Sequence, residues 1–254
     1  MKHIFITGAT SGFGEATAIE FASKGFNVTI TGRRSDKLAE LKKELQSKYK
    51  IEVQTLCFDV RNLEEVNQSI DTMPEEWKTI DVLVNNAGLA VGKGSIANGL
   101  SEDWSRMIDT NIKGLLHVSK AIIPLMRLQK KGHIINIGSI AGKEVYEGGN
   151  VYSATKHAVD ALSKAMRIDL LSDNIKVTQI CPGAAETEFS IVRFKGDETA
   201  AKKVYEGFQP LMARDIAESI YFCVSRPAHV NINEIIIMPT AQASAIYIDK
   251  KISL

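Results

Sequence analysis

The sequence predicts a single α/β domain with a doubly wound, seven-stranded parallel sheet and helices on both faces. Three observations lead to this fold class. Short apolar runs of strand length alternate with amphipathic helical patterns along the chain. The strand-like runs are apolar almost throughout, which is typical of strands covered on both faces. The length of 254 residues suits one large α/β domain, which we assign to residues 1–254.

The elements follow from these patterns in order. Strands are predicted at Ile4–Thr7, Asn27–Thr31, Glu52–Phe58, Ile80–Asn85, His133–Gly138, Lys176–Cys181 and Glu234–Met238. Helices are predicted at the start of the chain around Ala18–Ala22, and at Ser35–Lys48, Leu63–Thr72, Val118–Gln129, Val151–Leu171 and Arg214–Val224. Residues 183–210 carry the weakest pattern, and we expect a substrate loop or lid there.

Composition excludes several classes of function. The net charge of +1, with both signs mixed along the chain, gives no reason to expect a nucleic-acid or membrane partner. No apolar run is long enough to span a bilayer, and the N-terminus does not resemble a signal peptide. Cys57, Cys181 and Cys223 lie far apart in apolar contexts, so we expect buried thiols in a reducing, cytoplasmic compartment. No cluster of residues suggests a metal site.

A glycine-rich turn lies between the first predicted strand and the first predicted helix. Its residues are Gly8, Thr10, Ser11, Gly12, Phe13 and Gly14. Glycines allow a sharp turn and a close approach of backbone to a pyrophosphate, and the helix N-terminus attracts anions. Any tight strand-to-helix turn could use such glycines. The position at the first junction of an alternating chain nevertheless favours a dinucleotide site.

Two arginines follow the second predicted strand, where an NAD site usually presents an acid. A guanidinium pairs well with the 2′-phosphate of NADP, so Arg33 and Arg34 favour NADP(H) as cofactor, with Arg33 ahead of Arg34. The alternative is a solvated basic corner that caps the next helix.

Tyr152 and Lys156 stand four residues apart in a predicted helix, and Ser139 ends the fifth predicted strand. Residues at this spacing share one helix face. A nearby cation lowers the pKa of a tyrosine from its ordinary value near ~10, so we expect Lys156 to tune Tyr152 for proton transfer. The alternative is a half-buried tyrosine with a solvated lysine one turn later.

Other marked residues also fall at the ends of predicted strands. They are Asp59 and Val60, then Asn86, Ala87 and Gly88, then Pro182 and Gly183. Ligands of doubly wound sheets bind at the carboxyl ends of the strands. We therefore expect these residues to line one site.

With these motifs, the chain resembles the short-chain dehydrogenase/reductase family over its whole length. The fold of that family is of the Rossmann type. The resemblance rests on Thr7 to Gly14, on Asn-Asn-Ala-Gly at 85–88, on Tyr152 and Lys156, on Ser139, and on Asn111 in Asp-Thr-Asn-Ile-Lys-Gly. It implies an oxidoreductase acting on a small molecule, with Asn111, Ser139, Tyr152 and Lys156 as catalytic residues. It also implies that Asn111 holds a water in a relay to Lys156, that Asp59 contacts the adenine, that Thr187 contacts the nicotinamide carboxamide, and that the chain forms a homotetramer.

A closer similarity is to the NADP-dependent 3-hydroxy acid dehydrogenases, in stretches such as Gly148-Gly-Asn-Val-Tyr and Val192-Arg-Phe-Lys-Gly-Asp. It implies substrates of the L-allo-threonine, L-serine and 3-hydroxyisobutyrate type. Arg193 is our candidate for binding the substrate carboxylate and Glu147 for binding an ammonium, although both residues also suit a polar surface loop.

Ala184-Ala185 departs from the bulky apolar residues of that group, and we expect it to enlarge the pocket or loosen the loop. This departure keeps open a broad NADPH-dependent carbonyl reductase acting on ketones and aldehydes. A non-catalytic NADP-binding module is the remaining alternative. It would not need Ser139, Tyr152 and Lys156, all of which are present.

Overall fold

A seven-stranded parallel sheet forms the centre of the protein, with the strand order β3-β2-β1-β4-β5-β6-β7. The computed structural model describes residues 1–251. Its strands are β1 His3–Ile6, β2 Asn27–Gly32, β3 Val53–Cys57, β4 Val82–Asn85, β5 Gly132–Ile137, β6 Ile175–Pro182 and β7 Glu234–Ile237. The predicted fold class is confirmed.

Helices cover both faces of this sheet. Within residues 1–251 the α-helices are α1 Gly12–Ser23, α2 Ser35–Lys48, α3 Leu63–Asp71, α4 Ser101–Ile108, α5 Leu115–Gln129, α6 Asn150–Asp169, α7 Glu188–Arg193, α8 Glu198–Lys203 and α9 Ala213–Val224. A π-helical turn, Asp109–Gly114, joins α4 to α5.

The strands are apolar on both sides because two separate apolar layers bury them. In β1, Ile4 and Ile6 face the layer under α1, α2 and α9, whereas Phe5 faces the layer under α3, α5 and α6. All three side chains are fully buried, and such burial stabilises the fold by about 1.5–3 kcal/mol for each large side chain. This arrangement accounts for the continuous apolar strands of the sequence.

A buried polar network lies beneath the carboxyl ends of β4 and β5. The Asn85 side-chain amide donates to Ser119 Oγ and Asn136 Oδ1, at 2.9 Å each. The Asn136 amide in turn donates to Ser163 Oγ at 2.9 Å. Because buried polar groups are costly unless they are hydrogen-bonded, this network fixes α5 and α6 against the two strands.

Some predicted features differ from the structure. The predicted loop at 183–210, called the lid segment below, contains the helices α7 and α8, each begun by a capping side chain, Thr187 and Asp197 respectively. Helix α4 was not predicted; it has only eight residues, of which Met107 is buried, and is shorter than the stretch over which a helical apolar pattern is usually recognised. The prediction that all three cysteines are buried is wrong for Cys57, which ends the edge strand β3 and is exposed.

Within residues 1–251, no helix combines the length and the apolar character needed to cross a membrane. In the same residues, no group of three or more His, Cys, Asp or Glu side chains is arranged to hold a metal ion.

Two histidines are buried in the sheet and should make the fold sensitive to acid. Burial lowers the pKa of His3 to about 4 and that of His133 to about 3, from 6.5. Between these values and 6.5 the unfolded chain binds more protons, so stability is lost as the pH falls below 6.5. We expect each histidine to lower the free energy of unfolding by about 2 kcal/mol between pH 7.5 and pH 5, measured by urea denaturation.

His133→Gln removes one of these titrating groups, so the loss between the two pH values should shrink by about 2 kcal/mol. His229 is exposed, and His229→Gln serves as the matched surface control. An equal pH dependence in His133→Gln and in the unaltered protein would contradict this account.

Candidate active site

A cavity of about 530 Å³ opens at the carboxyl ends of the strands. The structure brings to its wall most of the residues singled out from the sequence. These are Gly8, Thr10, Ser11, Gly12, Phe13, Arg33, Arg34, Asp59, Val60, Asn86, Ala87, Gly88, Ser139, Tyr152, Lys156, Pro182, Gly183, Thr187 and Arg193. Gly14, Asn111 and Glu147 are not part of this wall.

The glycine turn is fixed to the end of β4 by hydrogen bonds between two chain segments. Thr7 Oγ1 accepts from the backbone N–H groups of Asn86 (3.0 Å) and Ala87 (2.9 Å). The Asn86 side-chain amide donates to the carbonyl oxygens of Thr7 (2.8 Å) and Gly8 (3.0 Å). Gly8 has a φ of 66° and Gly12 a φ of 57°, a backbone region that favours glycine.

Gly14 is needed for packing and does not face the cavity. A Cβ atom there would lie 2.4 Å from the Gly8 carbonyl oxygen and 2.6 Å from the Asn86 amide nitrogen. Glycine at this position therefore lets α1 approach the turn that precedes it.

The two arginines after β2 have different surroundings. The Arg34 guanidinium donates to Thr10 Oγ1 and to the Thr10 carbonyl (both 3.0 Å), and it pairs with Glu188 at 3.1 Å. Arg33 is 55% exposed and lies 3.7 Å from the Asp59 carboxylate. Arg34 thus joins the glycine turn to the lid segment, whereas Arg33 is less constrained.

Asp59 lies at the same end of the cavity and is held by Arg61, whose guanidinium donates to the carboxylate at 2.6 Å. Burial alone would raise the pKa of Asp59, but the hydrogen bonds and charge of Arg61 hold it below its ordinary value. The carboxyl is therefore ionised at neutral pH and available as an acceptor.

Ser139, Tyr152 and Lys156 also line this cavity, and all three are buried. Ser139 Oγ accepts from the Ala141 backbone N–H at 3.1 Å, so its own hydrogen remains free to donate. Tyr152 and Lys156 share one face of α6, with Lys156 Nζ 5.9 Å from the centroid of the Tyr152 ring. Lys156 Nζ also donates to the Ile137 carbonyl at 2.8 Å.

Burial dominates the ionisation of this pair. It raises the pKa of Tyr152 above its usual range, and the neighbouring Ser139 hydroxyl and Arg193 charge partly offset the rise. It lowers the pKa of Lys156 to about 8. The prediction that Lys156 brings the Tyr152 pKa below its ordinary value is therefore wrong for this structure, because desolvation of the phenol outweighs nearby positive charge.

Asn111 lies behind the cavity wall, in the π-helical turn between α4 and α5. Its Oδ1 accepts from the Leu89 N–H at 2.8 Å, and its amide donates to the Leu89 carbonyl (2.8 Å) and to Thr155 Oγ1 (3.0 Å). The side chain thus fixes the backbone beside Gly88 to α6.

Arg193 and Glu147, the two proposed substrate contacts, have different positions. Arg193 lines the cavity with its Cζ 5.2 Å from the centroid of the Tyr146 ring, and its buried Nε has no hydrogen-bond partner among residues 1–251. Glu147 is exposed and lies outside the cavity wall. The structure therefore does not bring Glu147 to the site, because the turn before α6 directs Tyr146 to the cavity instead.

Residues 2–198 match the family model for short chain dehydrogenases. The chain belongs to the short-chain dehydrogenase family. It is 46% identical to the NADP-dependent 3-hydroxy acid dehydrogenase YdfG of Salmonella typhi over 95% of this chain and 96% of that protein. It is 43% identical to sulfoacetaldehyde reductase 2 of Chromohalobacter salexigens, over 97% and 98% of the two chains.

Among solved structures, the closed form of a serine dehydrogenase complexed with NADP⁺ superposes with a TM-score of 0.91. It is 45% identical, over 96% of this chain and 97% of that one.

Within this family fold, Ala184 and Ala185 lie in the cavity wall and are held firmly. The Ala184 N–H donates to Gln242 Oε1 at 2.7 Å, and its carbonyl accepts from Leu211 at 3.0 Å. The Ala185 carbonyl accepts from the Tyr205 hydroxyl at 2.7 Å. These hydrogen bonds hold the backbone of the two alanines, and their small side chains line the cavity, as the expectation of an enlarged pocket requires.

Several residues of the wall were missed by sequence reasoning. They include Leu89, Arg106, Tyr146, Phe189, Tyr205, Gln242, Ala245 and Ile248. Tyr146 and Phe189 lie near motif residues in the sequence, and their aromatic side chains could have indicated that they line the cavity. Gln242, Ala245 and Ile248 come from the segment after β7, which has no periodicity that would point to a cavity.

Proposed function

We propose that the chain is an NADP(H)-dependent oxidoreductase that interconverts the hydroxyl and carbonyl forms of small 3-hydroxy acids. The substrates would be of the L-allo-threonine, L-serine and 3-hydroxyisobutyrate type. The observation that carries the proposal is the buried group of Ser139, Tyr152 and Lys156, in the same cavity as the glycine turn and Arg33. The relatives named above support the same reaction and cofactor.

The residues present fit a dinucleotide with a 2′-phosphate. Gly8 and Gly12 have positive φ angles in the turn that leads into α1, and the backbone N–H groups at the start of α1 would contact the pyrophosphate. Arg33 would bind the 2′-phosphate, with Arg34 beside it on Thr10, and Asp59 and Val60 would contact the adenine. Toward the other end, Lys156 would hold the nicotinamide ribose and Thr187 the carboxamide. The backbone of Asn86 to Gly88 and of Pro182-Gly183 would complete the contacts. When bound, the cofactor supplies the hydride chemistry.

The proton chemistry belongs to the protein. Tyr152 would give its phenolic proton to the substrate oxygen in reduction and take it back in oxidation. Ser139 would donate a hydrogen bond to the same oxygen and stabilise its developing charge. Asn111 would hold a water that passes protons toward Lys156, and its position in a π-helical turn supports this because such turns are frequent at functional sites.

Arg193 would bind the acidic group of the substrate. Its guanidinium lines the cavity near Tyr152, and its Nε has no hydrogen-bond partner among residues 1–251. A 3-hydroxy acid carries a carboxylate and sulfoacetaldehyde a sulfonate, so the names of both relatives are consistent with an anion contact. We assign no substrate contact to Glu147, because it is exposed outside the wall.

We also propose a homotetramer in the cytoplasm. Apolar side chains are exposed on α5 and α6 (Leu116, Leu128 and Ile168) and near the segment after β7 (Ile236, Ile246 and Tyr247), where two interfaces would form. Sedimentation velocity should give the mass of four chains, and a stable monomer would refute the proposal.

Initial rates with purified protein test the function directly. We expect reduction of NADP⁺, and not of NAD⁺, with L-allo-threonine, L-serine or 3-hydroxyisobutyrate. Because burial keeps the Tyr152 phenol protonated at neutral pH, oxidation should accelerate as the pH rises, whereas carbonyl reduction should proceed near neutrality. Tyr152→Phe should bind NADPH normally, as measured by fluorescence, and lose about 100-fold or more in turnover.

A fully active Tyr152→Phe variant would refute the catalytic assignment. Turnover confined to uncharged ketones and aldehydes would favour a carbonyl reductase whose pocket is enlarged at Ala184 and Ala185. Cofactor binding without any turnover would favour the non-catalytic module.

Arg193→Ala tests the anion contact. We expect kcat/KM for hydroxy acids to fall about 10- to 100-fold, because a charge-assisted hydrogen bond is lost. The rate with an uncharged ketone should change much less, and Arg193→Lys should recover part of the acid activity. Equal losses with acids and ketones would remove Arg193 from substrate binding.

A further inference from the structure

Lys143 lies one turn after Ser139 and joins two carboxylates that come from different elements. Its ammonium donates to Asp160 Oδ1 at 2.5 Å and to the Glu234 carboxylate. The side chains of Lys143, Asp160 and Glu234 are 19%, 14% and 27% exposed. Because all three are largely withdrawn from water, their pairing is screened less than that of a surface ion pair.

These contacts connect the two parts of the candidate active site. Asp160 follows Lys156 by one turn on α6, and Glu234 begins β7. The Lys143 ammonium therefore ties the turn that carries Ser139 to the helix that carries Tyr152 and Lys156. Gly142 lies directly against this helix, since a Cβ there would be 2.6 Å from the Lys156 carbonyl oxygen.

The surrounding groups complete a defined network. The Gln179 amide, with its nitrogen turned toward the carboxylates, donates to Asp160 Oδ1 at 2.8 Å and to Glu234 Oε2 at 3.3 Å. Lys164 pairs with the other oxygen of Asp160 at 2.7 Å and is 60% exposed. Burial raises the pKa of the nearby Cys181 thiol to about 12, so this thiol is neutral. Lys143 pairs with both Asp160 and Glu234, whereas Lys164 pairs with Asp160.

We propose that Lys143 is a positioning residue for catalysis, and that its pairing with Asp160 holds Ser139 against the Tyr152 phenol. The inference rests on the proposed oxidoreductase function. The Ser139 hydroxyl and the Arg193 charge both favour the ionised form of the Tyr152 phenol, whereas the neighbouring Tyr146 disfavours it. If the turn moved away from α6, that stabilisation would weaken and the Ser139 contact to the substrate oxygen would be lost with it.

The test compares four variants of the full-length enzyme with NADP⁺ and the best hydroxy-acid substrate. Lys143→Met removes the ammonium, and Asp160→Asn removes its partner charge on α6. We expect both to lower kcat about 10- to 100-fold, with the KM for NADP⁺ little changed. The pH midpoint of kcat for oxidation should move upward, because the phenol ionises less readily.

Two matched variants separate positioning from ordinary stability. Lys143→Arg keeps the cation and should restore most of kcat and the original pH midpoint. Lys164→Met removes the exposed partner of the same carboxylate and should behave as the unaltered enzyme. Circular dichroism melts show whether each variant is folded. If Lys143→Met does not fold, the kinetics of Asp160→Asn test the positioning role instead.

An unchanged kcat and pH midpoint in folded Lys143→Met or Asp160→Asn would overturn this inference alone. A lowered melting temperature with an unmoved pH midpoint would also overturn it, since that result describes a purely structural ion pair. The same kinetic effect in Lys164→Met would do so as well. An inactive unaltered enzyme would overturn the proposed function and this inference together.

Discussion

The cavity depends on the junction between the carboxyl ends of β1 and β4. The Thr7 hydroxyl accepts hydrogen bonds from two backbone N–H groups of the segment after β4. The Asn86 side-chain amide also donates to the Thr7 carbonyl. The strand order reverses between these two strands, so their connections leave in opposite directions and open a crevice. Without the junction, the glycine turn and the wall at Ala87 and Gly88 would have no fixed separation.

Desolvation governs the ionisation of Tyr152 and Lys156 in that crevice. A phenol and an ammonium lie one turn apart on α6, and burial favours the neutral form of each. The protein offsets this tendency with polar neighbours, namely the Ser139 hydroxyl, the Arg193 charge and the Ile137 carbonyl. The positions of these neighbours therefore matter more to reactivity than the helical spacing of Tyr152 and Lys156 alone.

The sequence was sufficient for the fold and for most of the cavity wall because both depend on local patterns. Apolar strands, the glycine turn and residues at strand ends can be recognised one segment at a time. The direction of the Tyr152 pKa shift could not be recognised, since it depends on how completely the surrounding elements exclude water from the phenol. The packing of Gly14 against Gly8 and the exposure of Glu147 likewise follow from three-dimensional contacts that no spacing encodes. The helices of the lid segment are too short to produce a clear periodicity.

The segment after β7 contributes Gln242, Ala245 and Ile248 to the wall, and Gln242 holds the backbone at Ala184. The glycine turn precedes these residues by more than 200 positions and leaves the ribosome before they do. A nascent chain can therefore form strands β1 to β3 and the glycine turn while the part of the cavity wall after β7 is still missing. The site closes only after residues 242–248 have emerged, so a nascent chain that stops before them would lack the enclosed pocket even after much of its sheet has formed.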